Sequence, residues 1–139
     1  MRPWHRRACP SVESSTAEET GLFGENAAAS FLQGRGYRVL VRRYRIKAGE
    51  IDLVCRHGEV LVFVEVKTRS GTDFGRPAEA VTPEKQRRIS RAALGYLRLL
   101  GNPPIIFRFD IVEVFLVAGE HPRFEIIPGA FELAEPYIY

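Results

Sequence analysis

Two cysteines, one methionine and one tryptophan in 139 residues leave few of the usual ways to staple or anchor a small protein. Cys9 and Cys55 are too few for a disulfide framework or a zinc site, and both are expected to be reduced thiols. No apolar run approaches the roughly 20 residues of a membrane-crossing helix, so no membrane partner is expected. Arg2, Arg6 and Arg7 are followed by no apolar stretch, which excludes a secretory signal and points to the cytoplasm. Repeats and low-complexity tracts are also missing. A chain of this length buries about two thirds of its unfolded surface around one core. We read residues 1–15 as a flexible leader, 16–128 as a single domain, and 129–139 as a tail that packs or frays.

What is present is an ordinary globular balance, 45% hydrophobic and 27% charged, with a net charge of +3. That excess permits nucleic-acid binding without demanding it. Its distribution says more: arginine and lysine crowd Arg35 to Lys47 and Lys85 to Arg98, whereas the segment from Glu113 onward is acidic. Phosphate contacts from the two basic regions would supply sequence-neutral, salt-dependent affinity; a solvated cationic face explains the same residues equally well.

The stretch from Gly49 to Arg69, GEIDLVCRHGEVLVFVEVKTR, carries the chemistry. Two apolar runs flank His57-Gly58, which predicts a β-hairpin with those two residues as its loop. Arg56 then faces Glu59, Asp52 faces Phe63 and Glu50 faces Glu65. Alternation places Glu50, Asp52, Glu65 and Lys67 on one side. In that register Asp52 and Glu65 are diagonal neighbours, roughly 7–8 Å apart at the backbone. Leu61 to Val64 and Val66 make the second strand apolar on both faces, so Glu65 and Lys67 are expected to be shielded from water. Three carboxylates against one ammonium leave a charge that a divalent cation would balance. Oxygen ligands at this density suit a hard ion, Mg²⁺ or Mn²⁺. An isolated E-x-K is more often an internal ion pair; the aspartate on the neighbouring strand tilts the reading toward a site.

The rest of the chain frames the hairpin. Thr16 with Glu19 forms a capping box for a helix whose stripe is Phe23, Ala27, Ala28, Phe31 and Leu32, ending at Gly34 to Gly36. Tyr37 to Arg45 reads as a strand with Tyr37, Val39 and Val41 on one face. After Thr68 and Arg69, Ser70 to Pro77 reads as a surface loop, a candidate lid or DNA-contacting segment, with Glu79 nearby as a further acid. Thr82-Pro83-Glu84 starts a long second helix with the stripe Ile89, Ala92, Ala93, Tyr96, Leu97 and Leu100. Lys85 and Arg88 near its start, with Arg69, are the candidate phosphate-binding residues. For each of them a solvated surface role is the ordinary alternative. Ile105 to Val112, continuing through Val117, and Arg123 to Ile127 read as further strands, with Arg108 and Asp110 paired on one face. The order helix, three strands, helix, two strands predicts an α/β sandwich with a mixed central β-sheet flanked by helices.

An aspartate, a hairpin turn and E-x-K inside an apolar strand resemble the PD-(D/E)XK, or restriction-endonuclease-like, superfamily. Asp52, Glu65 and Lys67 stand in the matching positions. More closely, the blocks GLFGENAAASFLQGRGY, GEIDLV, VFVEVKTR, FGRPAEAV, TPEKQRRISRAALGYL and FRFDIVEV resemble, in order, the bacterial YraN family, which is similar to archaeal Holliday junction resolvases. Tyr44 departs from the asparagine expected before Arg45. The resemblance implies a restriction-endonuclease-like fold of order α-β-β-β-α-β-β. It also marks Glu25, in the G-E-x-x-A block, as support for a metal site, although a helix-end carboxylate favoured by the dipole would look the same.

These readings converge on a Mg²⁺- or Mn²⁺-dependent endonuclease acting on DNA, including branched or junction DNA. Asp52, Glu65 and Lys67 would be catalytic; Asp52 and Glu65, completed by Glu25 and Glu50, would hold the metal. The alternative is a non-catalytic nucleic-acid-binding or scaffolding protein that keeps the fold. A third reading is a homodimer joining two sites across a junction.

Overall fold

Thr16 caps the first helix as its sequence predicts, accepting the Glu19 N–H on its hydroxyl at 3.1 Å, and α1 runs Ala17–Gly34. The structure, a computed structural model, describes residues 16–70 and 81–139. The expected leader, the loop beyond Ser70, and Glu79 lie outside the described residues. Three strands follow α1: β1 (Arg38–Ile46), β2 (Gly49–His57) and β3 (Val60–Ser70). Helix α2 (Pro83–Leu99) then leads to β4 (Phe107–Leu116) and β5 (Arg123–Phe131). The Thr82 hydroxyl caps α2 at the Lys85 N–H, with Pro83 in the first turn.

The strands form one sheet in the spatial order β1-β2-β3-β4-β5. Neighbours are antiparallel except β3 and β4, which are parallel and therefore need the long crossover that α2 provides. Each face is sealed by one helix. On the α1 side Ala27, Ala28, Ala29 and Leu32 pack on Leu53, Cys55, Val62, Val64, Val112 and Val114. On the α2 side Ile89, Ala92, Ala93 and Leu97 pack on Ile51, Val54, Leu61, Phe63, Phe109 and Ile111. Full burial of each of the larger side chains is worth ~1.5–3 kcal/mol, so the central strands β3 and β4 carry most of the fold. This is the expected α/β arrangement, a mixed sheet between two helices in the order α-β-β-β-α-β-β, consistent with a restriction-endonuclease-like fold.

Three details differ from expectation. The hairpin loop is Gly58-Glu59, not His57-Gly58: His57 pairs with Val60 and Val54 with Phe63. His57 stays in the strand, its ring stacked on Tyr37 at 4.1 Å. Gly58, at φ 63°, takes the left-handed first position of the turn. The register moves by two residues, so the faces are kept while the opposed pairs change. Second, β1 does not alternate cleanly. Its pairing to β2 shifts between Val39 and Val41, and Arg43 sits at φ 51°. Val39 accordingly joins the α1-side core and Val41 the α2-side core, on opposite faces rather than the same one. Third, Leu100 caps the end of α2 and is exposed rather than buried.

One glycine fixes how closely α2 sits on the sheet. A Cβ on Gly49 would lie 2.0 Å from the Arg88 carbonyl oxygen, so only glycine lets the start of β2 pass beneath the first turns of α2. The C-terminal residues hold the same helix from outside: the Ala134 N–H donates to the buried Ser90 hydroxyl at 3.0 Å, and Tyr137 meets Arg91.

Candidate functional site

The ladder between β2 and β3 pairs Leu53 with Val64 as its last described rung, and immediately beyond it lie the two acids. Asp52 turns its carboxylate into the gap and accepts the Val66 N–H on Oδ2 at 2.8 Å. A side chain thus replaces a strand partner, as the local break in alternation at Arg43 and Asp52 allows. Glu65 lies between Val64 and Val66, which both face α1, and so projects toward α2, where it is almost wholly buried. Burial, then the Glu65 charge, push the Asp52 carboxyl up to about 8, against the pull of the Val66 N–H. A hydrogen bond to Glu65 and the charge of Glu25 raise it further. Two carboxyl groups this near one another do not both ionise freely unless a cation joins them.

The cations come from α2. Lys85 Nζ lies 2.5 Å from Glu65 Oε1, with side-chain exposures of 49% and 7%. Burial opposes the charged form of the ammonium, but the Glu65 hydrogen bond and charge prevail and its pKa rises. Glu50, Asp52, Glu65, Lys85 and Arg88 together line a cavity of about 200 Å³. The structure therefore brings together Asp52, Glu65 and Glu50 with Lys85 and Arg88. Sequence spacing assigns the last two to phosphate without linking them to the acids; the chain crossover is what joins residues 65 and 85. Glu50 faces Arg45 rather than Glu65, pairing with it at 3.2 Å at the margin of the cavity.

Farther along the same face lie Lys67 and Arg69. Lys67 shares the Glu65 side of β3, is half-buried and stands in register with Glu113 of β4, beyond the residues that line the cavity. Arg69 is paired with an acid of the neighbouring strand. Its Nε bonds Glu113 Oε2 at 2.7 Å with side-chain exposures of 12% and 5%, because β4 runs parallel alongside and presents that acid. A partner 44 positions away gives no local signal.

Glu25 lies on the opposite side of the sheet. Its carboxylate pairs with Arg43 at 2.8 Å, and with Leu22, Asn26, Arg42, Arg43, Asp52 and Leu53 it lines a smaller cavity of about 80 Å³. Asp52 alone is common to both cavities. The β1 irregularity that turns Arg43 toward α1 was invisible in the sequence, which read the segment as plain alternation.

Among the described residues one buried side-chain polar atom, Arg69 Nη2, lacks a hydrogen-bond partner, whereas the buried Asp110 is satisfied. Asp110 accepts Arg108 Nε on both oxygens, at 3.0 and 3.2 Å, and the Gly129 N–H at 2.9 Å; Arg108 also reaches the Tyr37 hydroxyl. This pair was expected and serves the fold. Burial pushes the Cys55 thiol up to about 12, which leaves it unreactive. A larger hollow of about 420 Å³ between β4, β5 and Leu133 has aromatic walls but no comparable set of converging acids.

Among the described residues no three of His, Cys, Asp and Glu are gathered closely enough to enclose a metal ion. The donor chemistry fits a hard divalent cation nonetheless: two oxygen-only ligands stand together, one of them nearly dry, and Lys85 forms its ion pair with Glu65 and not with Asp52. Magnesium commonly takes one or two protein carboxylates and keeps water for the rest.

Known proteins place the chain within a family. It is 46% identical over 114 residues to a UPF0102 protein of Geobacter sulfurreducens, covering 82% of this chain and 89% of that one. It is 50% identical over 115 residues to a UPF0102 protein of Symbiobacterium thermophilum, covering 83% and 98%. A third such protein, from Syntrophus aciditrophicus, is 47% identical over 115 residues, 83% of this chain and 90% of that one. The family model described as "Uncharacterised protein family UPF0102" matches residues 24–114, a span that holds Glu25, the hairpin acids and the basic turns of α2, and the chain belongs to that family.

Proposed function

We propose that this protein is a metal-dependent phosphodiesterase that cuts DNA internally. The observation that carries the reading is the meeting of the Asp52 and Glu65 carboxyls at the end of the β2–β3 ladder, under the cationic first turns of α2. Asp52 and Glu65 would hold Mg²⁺ or Mn²⁺, with Glu50 at the cavity margin and Glu25 behind Asp52 as supporting acids. Such an ion lowers the pKa of water and shields phosphate charge. The chain's own residues do the rest. The Val66 N–H fixes one Asp52 oxygen; Arg88 and Lys85 offer donors to phosphate; Lys67, on the Glu65 face, steadies negative charge as it develops. The resemblance to archaeal Holliday junction resolvases makes branched DNA the first substrate to test.

The test is incubation of the purified protein with branched, flapped and linear DNA in Mg²⁺ or Mn²⁺. Cleavage is expected to fall at least about 100-fold in Asp52→Ala and Lys67→Ala, the scale of losing a group that acts in the transition state. Cleavage that persists in chelator, or that is equal in wild type and Lys67→Ala, defeats the reading.

One observation favours a second reading, a nucleic-acid-binding protein without catalysis: the Lys85–Glu65 pair already supplies a counter-charge from within the chain. That protein would bind DNA or RNA in a salt-sensitive way, unaffected by metal and by Asp52→Ala.

A further inference from the structure

Two cation–carboxylate pairs lie along the α2 face of β3 and β4, and they differ in one respect. Arg69–Glu113 is enclosed on both partners, whereas Lys85–Glu65 joins a nearly dry carboxylate to a half-exposed ammonium. Lys85 is anchored at its backbone, where its N–H bonds the Thr82 hydroxyl at 3.2 Å in the first turn of α2. Its flexible stem reaches down into the cavity, and the head lies where it opens to solvent beside Arg88. The Glu65 oxygen it holds belongs to one of the two carboxyls available to a metal. Two cations cannot occupy one buried carboxylate without strong mutual repulsion, because charges a few ångströms apart interact strongly where water is scarce.

We propose that Lys85 is the resident counter-ion of this acid pair, displaced from Glu65 when a divalent cation enters and transferred to a phosphate of the bound nucleic acid. The proposal rests on the reading above, that Asp52 and Glu65 take a metal. Lys85 is half-exposed on a flexible stem and lines the same cavity as the exposed Arg88, so released from Glu65 it would turn toward the solvent side of that cavity. The metal-free protein therefore withholds one phosphate ligand from DNA, and metal and DNA bind with positive coupling. Linkage makes that coupling reciprocal: whatever factor Mn²⁺ adds to DNA affinity, DNA adds to Mn²⁺ affinity.

The test compares wild type with Lys85→Met, which keeps the apolar stem and removes the charge. Mn²⁺ is titrated into each by calorimetry in the absence of nucleic acid. Binding of a short labelled duplex with a nuclease-resistant phosphorothioate backbone is then followed by anisotropy with and without Mn²⁺. The expected result is Mn²⁺ binding about tenfold tighter in Lys85→Met, the factor set by ~1.4 kcal/mol. The gain in duplex affinity on adding Mn²⁺ should be smaller in the variant; an equal gain overturns the transfer of Lys85 to phosphate. Equal or weaker Mn²⁺ binding by Lys85→Met, with wild type binding normally, overturns the displacement and leaves the metal-dependent reading standing. Failure of both proteins to bind Mn²⁺ overturns both.

Discussion

Asp110 and Asp52 are both sheet aspartates withdrawn from water, yet they are treated in opposite ways. Asp110 is 1% exposed and fully provided for: a guanidinium across both oxygens and a backbone N–H from β5. Asp52 has one backbone N–H, a neighbouring carboxylate in Glu65 and a second acid in Glu25. The first arrangement is what a fold does with a buried acid it needs for itself, matching charge with charge and filling the lone pairs. The second sets one acid against another beside a cavity, an arrangement the fold does not need for itself and which, on the function proposed above, a cation would complete.

The contrast can be broken from either side. Asp110→Ala should have the largest effect, about 3 kcal/mol of lost stability, because it empties a buried position, strips the part-exposed Arg108 of its partner and leaves the Gly129 N–H without an acceptor. Urea denaturation measures it, and a change below ~1 kcal/mol would mean that Asp110 does not act as a structural acid. Asp52→Asn should do the reverse at neutral pH. With its folded pKa raised to about 8, Asp52 holds a proton that the unfolded chain, near the ordinary value of ~3.9, has lost. The folded state therefore binds more protons in that window. Its favourable contribution is complete below about pH 4 and disappears as pH rises through about 8. Stability of the metal-free wild type, relative to Asp52→Asn, should thus decline between those values; parallel profiles for the two proteins would contradict the raised pKa. The smallest effect belongs to Glu50→Gln. Its pair with Arg45 is well exposed on both sides, so folding should change by less than ~0.5 kcal/mol, a value that thermal melts can bound.

Local signals in the sequence led to the right elements, and contacts between distant segments account for what they missed. Thr16 and Thr82-Pro83 announce both helix starts because a cap is a bond between residues three apart. Strand alternation put Glu65 and Lys67 on one side because it depends only on neighbours. The hairpin register differs by two from the expected one, and His57, kept in the strand, stacks on Tyr37, a contact between residues 20 positions apart that no local window contains. Lys85 beside Glu65 and Glu113 beside Arg69 depend on how α2 and β4 return to β3, which no window of adjacent residues contains. The kink at Arg43 was hidden for another reason: an arginine at positive φ carries no composition mark, unlike the glycine usually found there.

Asp52 lines a cavity on each side of the sheet, one toward α2 and one toward Glu25 and Arg43 under α1. At this point the sheet is a window rather than a wall. A charge altered on the back, at the rear pane formed by Glu25, is felt by the front carboxyl through a single shared residue, with no movement of backbone required. If the front carboxyls hold a metal as proposed, a change of charge at Glu25 is expected to alter that site from behind, without anything entering the front cavity.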